Sequence, residues 1–120
     1  MKKVYLAIPF TGIEELSFQS ANEISAILIG EGYNVFSPIS HSYPIWKTNL
    51  VEHTYDVWLN QDKAFVEWAD ELIVTVIKGF EDRTLASKGV QQEVDWAFER
   101  DIPIIYINYD PETKAIKTYE

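Results

Sequence analysis

The stretch Leu72-Ile73-Val74-Thr75-Val76-Ile77 decides the fold of this chain. It is a continuous apolar run rich in β-branched residues, which is typical of a parallel strand covered on both faces. Shorter runs of the same character lie at 3–8, 33–36 and 103–107. The sequence therefore predicts a sheet of four to five strands.

The segments between these strands show the apolar spacing of helices, at 14–31, 55–69 and 88–100. Ser87 is suited to cap the third helix. Strands that alternate with helices form parallel pairs through right-handed crossovers. We therefore predict an α/β fold: a small doubly wound parallel sheet, flavodoxin- or Rossmann-like, with helices on both faces. The residues of the third helix predicted to face inward are Val90, Val94, Ala97 and Phe98.

Three segments show no helical or strand pattern. Residues 39–54 have no clean period, and a loop of that length in a compact domain is usually a lid or a binding loop. Residues 78–86 are predicted to form a shorter loop, and 108–120 a polar C-terminal tail. With 120 residues, the chain is expected to be one domain over 1–120.

Composition excludes several classes of function. The net charge of −9 and the pI of about 4.6 disfavour binding to a nucleic acid polymer, although backbone N–H groups could still bind a small phosphorylated ligand. The absence of Cys excludes disulfides and thiolate sites. The apolar segment 4–10 is too short to span a bilayer, and no cleavage site follows it. We expect a cytoplasmic protein that does not associate with membranes.

Aromatic residues are numerous for so small a domain, with four Trp, seven Tyr and six Phe. A core of this size has little room for them, so some are expected at a pocket wall or a subunit interface. This surplus favours a homodimer or a higher homo-oligomer.

Ligands of doubly wound sheets bind beyond the carboxyl ends of the strands. That rule points to 8–12, 36–42 and 79–89. The third segment runs into Glu93, whose helical neighbours are small or apolar, so its carboxylate is predicted to face the sheet. The alternative is a solvated Glu93 or one paired with a cation. The candidate substrate-binding residues at these strand ends are Pro9, Phe10, Ser37, His41, Ser87 and Gly89.

Other residues have simpler interpretations. Asp62 on the second long helix could be solvated or paired with Lys63 or Arg100. His41 and His53 lack a metal-ligand spacing, so no metal is expected. The glycines form neither a dinucleotide fingerprint nor a P-loop, so no cofactor is expected.

Four pieces of the sequence, in order, resemble the nucleoside 2-deoxyribosyltransferase superfamily. They are Val4-Tyr5-Leu6-Ala7, Ser37-Pro38-Ile39-Ser40-His41-Ser42, the helix from Trp58 to Asp62, and Ser87-x-Gly89-Val90-x-x-Glu93. They span roughly the first 107 residues. The nearest likeness is to a small bacterial and phage branch close to the deoxynucleoside 5′-monophosphate N-glycosidases. The loop 9–12 and the segment 39–54 depart from the superfamily pattern.

The resemblance implies a role for each matching residue. Glu93 would be the nucleophile that attacks the anomeric carbon, Tyr5 would orient it, and Asp62 would handle the proton of the leaving base. Ser87 with Gly89 would bind a 5′-phosphate. Transferases often carry Asp where Ser87 stands, which favours a hydrolase here.

The expected function is therefore cleavage or transfer of the N-glycosidic bond of a nucleoside or nucleotide. The alternative is a non-catalytic nucleotide-binding or sensing module. The base, the sugar and the acceptor are left open.

Overall fold

The computed structural model describes residues 2–118, which fold into one five-stranded sheet flanked by helices. The strand order is β2-β1-β3-β4-β5. All neighbours pair in parallel except β4 and β5, which are antiparallel. The doubly wound α/β fold predicted from the sequence is thus confirmed. The elements are β1 (Lys3–Ala7), α1 (Glu14–Gly30), β2 (Asn34–Phe36), α2 (Pro38–Trp46), α3 (Tyr55–Trp68), β3 (Glu71–Ile77), α4 (Glu81–Ala86), α5 (Lys88–Glu99), β4 (Ile104–Asp110) and β5 (Ala115–Thr118).

Alternate residues of the central strands face two separate cores, as the two-residue period of a strand requires. On one face, Val4 and Leu6 of β1 pack with Ile24 of α1. On the other, Tyr5 and Ala7 of β1 pack with α3 and α5. All seven residues of β3 are buried, in agreement with a strand covered on both faces. Tyr5 is thereby directed to the α3–α5 side of the sheet.

The segment 39–54 is not a structureless loop, contrary to the prediction. Its first half belongs to α2, where Ser37 is the N-cap: its Oγ accepts a hydrogen bond from the backbone N–H of Ser40 at 3.3 Å. Pro38 occupies the first helical position, which proline favours because that N–H has no helical partner. The sequence analysis missed this helix because it contains Pro44, and proline usually breaks a helix. Only 47–54 lacks helix and strand.

The polar tail predicted over 108–120 contains regular structure as far as residue 118, and residues 119 and 120 of that prediction lie outside the described residues. β4 continues to Asp110, and β5 then returns along it. Asp110 forms the turn, since its Oδ1 accepts the backbone N–H of Glu112 at 2.9 Å. Lys114 completes the turn with a φ of 60°. Likewise, the loop predicted over 78–86 contains the short helix α4.

Helix α5 buries Val90, Glu93 and Ala97, which recur at the spacing of one helix face. Phe98 is 77% exposed, so the prediction that it faces inward is wrong. It follows Ala97 by one residue, which turns it about 100° from the buried stripe. No helix within residues 2–118 is long and apolar enough to cross a membrane.

Candidate active site

Glu93 lies at the point where α5 meets the first strand. Its side chain is buried, and the hydroxyl of Tyr5 donates a hydrogen bond to its Oε2. Tyr5 itself is fully buried in the core between the sheet and the α3–α5 layer. The alternatives of a solvated Glu93 or of one paired with a cation are therefore excluded. The carboxyl is held by a neutral donor instead.

Asp62 extends from α3 into the same cavity as Glu93. Its Oδ1 is buried without a hydrogen-bond partner among residues 2–118. The expected pairing with Arg100 is absent, because the Arg100 guanidinium bonds Glu67 instead. Within the described residues Asp62 also forms no ion pair with Lys63. Two carboxyls without a cationic partner thus face one cavity.

Burial governs the protonation of this pair. It raises the pKa of Asp62 from 3.8 to about 7. It also raises the pKa of Glu93, which the negative charge of Asp62 raises further and the Tyr5 hydroxyl partly lowers. The pKa of Tyr5 is raised well above its ordinary value, first by burial and then by the charge of Glu93. Near neutral pH the charge of Asp62 thus adds to burial in favouring the protonated form of Glu93.

The cavity measures about 690 Å³, enough for a small ligand of nucleotide size. It opens at the carboxyl ends of β1 and β3, where the strand order reverses. Pro9 and Phe10 after β1 line one side of it. The other sides come from α2, the start of α3, and the junction of α4 with α5.

The α4–α5 junction contributes the cations of the cavity. Ser87 and Gly89 line the cavity, and Ser87 Oγ caps α5 by accepting the Val90 N–H at 3.1 Å. Arg83 and Lys88 line it as well. The Arg83 guanidinium covers Gly12, where an added Cβ would lie only 2.6 Å from Nη1. Sequence patterns give no signal for Arg83, because they predict a plain loop for its segment.

An aromatic wall, defined as Phe10, Tyr43, Trp46 and His53, closes another side of the cavity. The ring of Trp46 stacks on that of His53 with centroids 4.1 Å apart. Phe10 meets Tyr43 edge-on at 5.2 Å and Trp46 at 6.1 Å. This wall accounts for part of the aromatic surplus. Of these four residues the sequence named only Phe10 as a candidate, although the segment 39–54, predicted to be a lid or a binding loop, contains the other three.

Ser37 and His41, both predicted to bind substrate, do not line this cavity. Ser37 is committed to capping α2. The His41 ring packs against Phe36 at 5.6 Å and borders a separate, shallower groove. Both follow β2, but α2 begins at once and turns them away. Within residues 2–118, no three His, Asp or Glu side chains are grouped to hold a metal ion.

One known protein family matches most of the chain. Residues 2–108 match the family described as "Domain of unknown function (DUF1937)". The chain belongs to this family. No curated protein matches it significantly.

Solved structures resemble this DUF1937 domain at the level of fold. One is a 2-deoxyribosyltransferase from the psychrotolerant bacterium Bacillus psychrosaccharolyticus, with a TM-score of 0.64 and 20% identity over 91% of this chain and 72% of that one. Another is a 2-desoxiribosyltransferase from Leishmania mexicana, with a TM-score of 0.63 and 14% identity over 92% of this chain and 66% of that one. At these identities the likeness shows a shared fold.

Proposed function

We propose that this protein cleaves the N-glycosidic bond of a nucleoside or a nucleoside 5′-monophosphate, with Glu93 as the nucleophile. The observation that carries the proposal is the buried Glu93 carboxyl, bonded to Tyr5 and facing the same cavity as Asp62. The two similar solved structures are named as 2-deoxyribosyltransferases, which agrees with chemistry at this bond.

The reaction needs one ionised and one protonated acid. The Glu93 carboxylate attacks the anomeric carbon, and the bond to the base breaks with its electron pair leaving on the base. Asp62 donates its proton to the base as that bond breaks. Water then attacks the same carbon, releasing Glu93, while the Asp62 carboxylate takes the proton from the water. A second base in place of water would give transfer.

Tyr5 acts as the positioning residue for Glu93. Its hydroxyl fixes the carboxylate and favours the ionised form, since a hydrogen bond donated to a carboxyl lowers its pKa. Burial of Asp62 without a partner favours its neutral, proton-donating form. Burial raises the pKa of both acids, that of Glu93 to about 8, so the nucleophile depends on the Tyr5 hydroxyl to favour its ionised form.

A 5′-phosphate fits the α4–α5 junction. In a chain of net charge −9, Arg83 and Lys88 bring positive charge to this side of the cavity. The first N–H groups of α5 have no partner within the helix and favour an anion. Ser87 and Gly89 stand at the same helix end. We therefore favour a monophosphate as substrate, and a hydrolase over a transferase.

A second candidate function is nucleotide binding without catalysis. The raised pKa of Glu93 favours it, because a protonated Glu93 would bond a sugar hydroxyl but could not attack the anomeric carbon. In that case Glu93 would contribute to affinity only.

Incubation of the protein with a panel of nucleotides, with free base measured by chromatography, tests the proposal. Glu93→Gln should lower base release by several orders of magnitude while binding is kept. Glu71→Gln is the matched control, since Glu71 is equally buried at 6% but is paired with Lys2. Wild-type turnover by Glu93→Gln would contradict the nucleophile role. Substrate binding without any base release by the wild type would favour the binding module.

A further inference from the structure

Two polar atoms of α3 stand out because they are buried without a hydrogen-bond partner among residues 2–118. They are Nε1 of the Trp58 indole and Oδ1 of Asp62. Unpaired buried polar atoms cost free energy, and native proteins keep few of them. A ligand that supplies the missing partners would remove that cost.

Both residues line the cavity that contains Glu93. They are four positions apart on α3, a spacing that places two side chains beside each other on one helix face. Trp58 also borders the shallower groove with His41, so its ring forms part of the wall between the two. A ligand group above Asp62 therefore lies beside Trp58 as well.

The chemistry of the two groups defines what such a ligand must offer. The indole N–H is only a donor. A protonated carboxyl also presents an O–H donor, and burial raises the pKa of Asp62 to about 7. The acid role proposed for Asp62 requires this protonated form. The ligand must therefore present two acceptors next to each other.

We propose that Trp58 and Asp62 together select a 6-oxopurine, such as hypoxanthine or guanine, as the leaving base. One edge of a 6-oxopurine carries O6 and N7, both acceptors, whereas adenine carries an amino donor at position 6. Asp62 donates its proton to N7 as the glycosidic bond breaks, and Trp58 donates a hydrogen bond to O6. With adenine, the Trp58 N–H faces another donor. The selection rests on the proposed function and specifies its substrate.

Nucleotides of hypoxanthine and adenine test this selection, because the two bases differ at position 6. The constants to measure are kcat/KM for base release and the calorimetric Kd, with 2′-deoxyinosine and 2′-deoxyadenosine 5′-monophosphates. The wild type should prefer the inosine nucleotide by about tenfold or more, the value of one hydrogen bond. Trp58→Phe should lower that preference by about tenfold, through weaker action on the inosine nucleotide alone.

Trp68→Phe is the control, because Trp68 lies on the same helix outside the cavity. It should leave the preference as in the wild type. A Trp58→Phe protein that folds and keeps the full preference would overturn the proposal, as would a wild type that prefers adenine. If the wild type releases no base, the glycosidase proposal fails, and the ratio of Kd values still decides the role of Trp58.

If the Trp58→Phe variant does not fold, a second comparison uses the wild type alone. The wild type is then given the nucleotide of purine itself, which has hydrogen at position 6 and keeps N7. Its Kd should exceed that of the inosine nucleotide by about tenfold, since one hydrogen bond is lost. Equal Kd values would overturn the proposal.

Discussion

Glu93→Gln should stabilise the folded protein most at alkaline pH and much less at pH 5.5. In the unfolded chain the Glu93 carboxyl ionises near its ordinary pKa of 4.5, whereas burial raises the folded-state pKa to about 8. Between these values the folded state keeps a proton that the unfolded state has released. Stability of the wild type therefore falls as pH rises through this range. A glutamine at this position has no proton to lose.

The size of the effect follows from the two pKa values. At about 1.4 kcal/mol for each pH unit, the interval from 4.5 to about 8 corresponds to on the order of 5 kcal/mol. Water that enters the open cavity weakens the penalty, so we expect roughly 2–4 kcal/mol at pH 8.5. The amide oxygen of the variant still offers Tyr5 an acceptor, so the packing around the site should be kept.

Urea denaturation at pH 5.5 and pH 8.5 measures this difference. Asp62, whose pKa burial raises to about 7, titrates within this window in both proteins, so the effect of Glu93 is the difference between variant and wild type at each pH. The window avoids the carboxyls whose pKa is lowered by hydrogen bonds to their charged form, which are Glu14, Glu23, Glu81 and Asp110. The contributions of these four carboxyls to the free energy of unfolding are lost only at more acidic pH. Glu71→Gln should keep the wild-type dependence on pH. If Glu93→Gln also keeps it, the Glu93 carboxyl is not desolvated in the folded protein, and the reasoning from burial fails.

Four further variants test the rest of the site. Tyr5→Phe removes a hydrogen bond to a charged group, so kcat should fall about 10- to 100-fold. Because the pKa of Glu93 then rises further, the acidic limb of the pH–rate profile should move up by about one pH unit. Asp62→Asn should slow base release about 10²- to 10⁴-fold and abolish the alkaline limb of that profile. Arg83→Gln should raise KM about tenfold for a 5′-monophosphate and leave KM for the matching nucleoside unchanged in steady-state assays. Trp46→Ala should raise KM roughly tenfold by removing a stacking surface, with a smaller change in kcat.

The parallel sheet was accessible from the sequence because it depends on strong local signals. The run 72–77 is apolar throughout, and a strand with that character must be covered on both faces. Alternation along β1 then sends Tyr5 to one face, and the stripe of α5 that contains Glu93 packs on that face. The contact between Tyr5 and Glu93 therefore follows from the periodicity of each element together with the topology of the sheet.

The aromatic wall was not accessible in this way. Its helix α2 contains Pro44, and its hydrophobic pattern is too short to establish a period over nine residues. The Ser37-Pro38 pair was interpreted only as the end of a strand, although it also has the chemistry of a helix start. Arg83 was missed for a related reason. Its contact with Gly12 joins α4 to a loop that is distant in sequence, and no local pattern encodes that contact.

A comparison within the chain separates structural from functional burial of a carboxyl. Glu71 and Glu93 are equally buried, at 6% exposed. Glu71 is paired with the Lys2 ammonium at 2.8 Å, which compensates for its loss of water. Glu93 has no such cation: burial and the charge of Asp62 raise the free energy of its charged form, and the hydrogen bond from Tyr5 offsets this only in part. A residue kept for stability alone would be better served by an apolar side chain at this position. The anomeric carbon of a sugar becomes positively charged when its base departs. A negative charge on Glu93 would stabilise that carbon, and this gives a functional reason for the free-energy cost of burying the carboxyl.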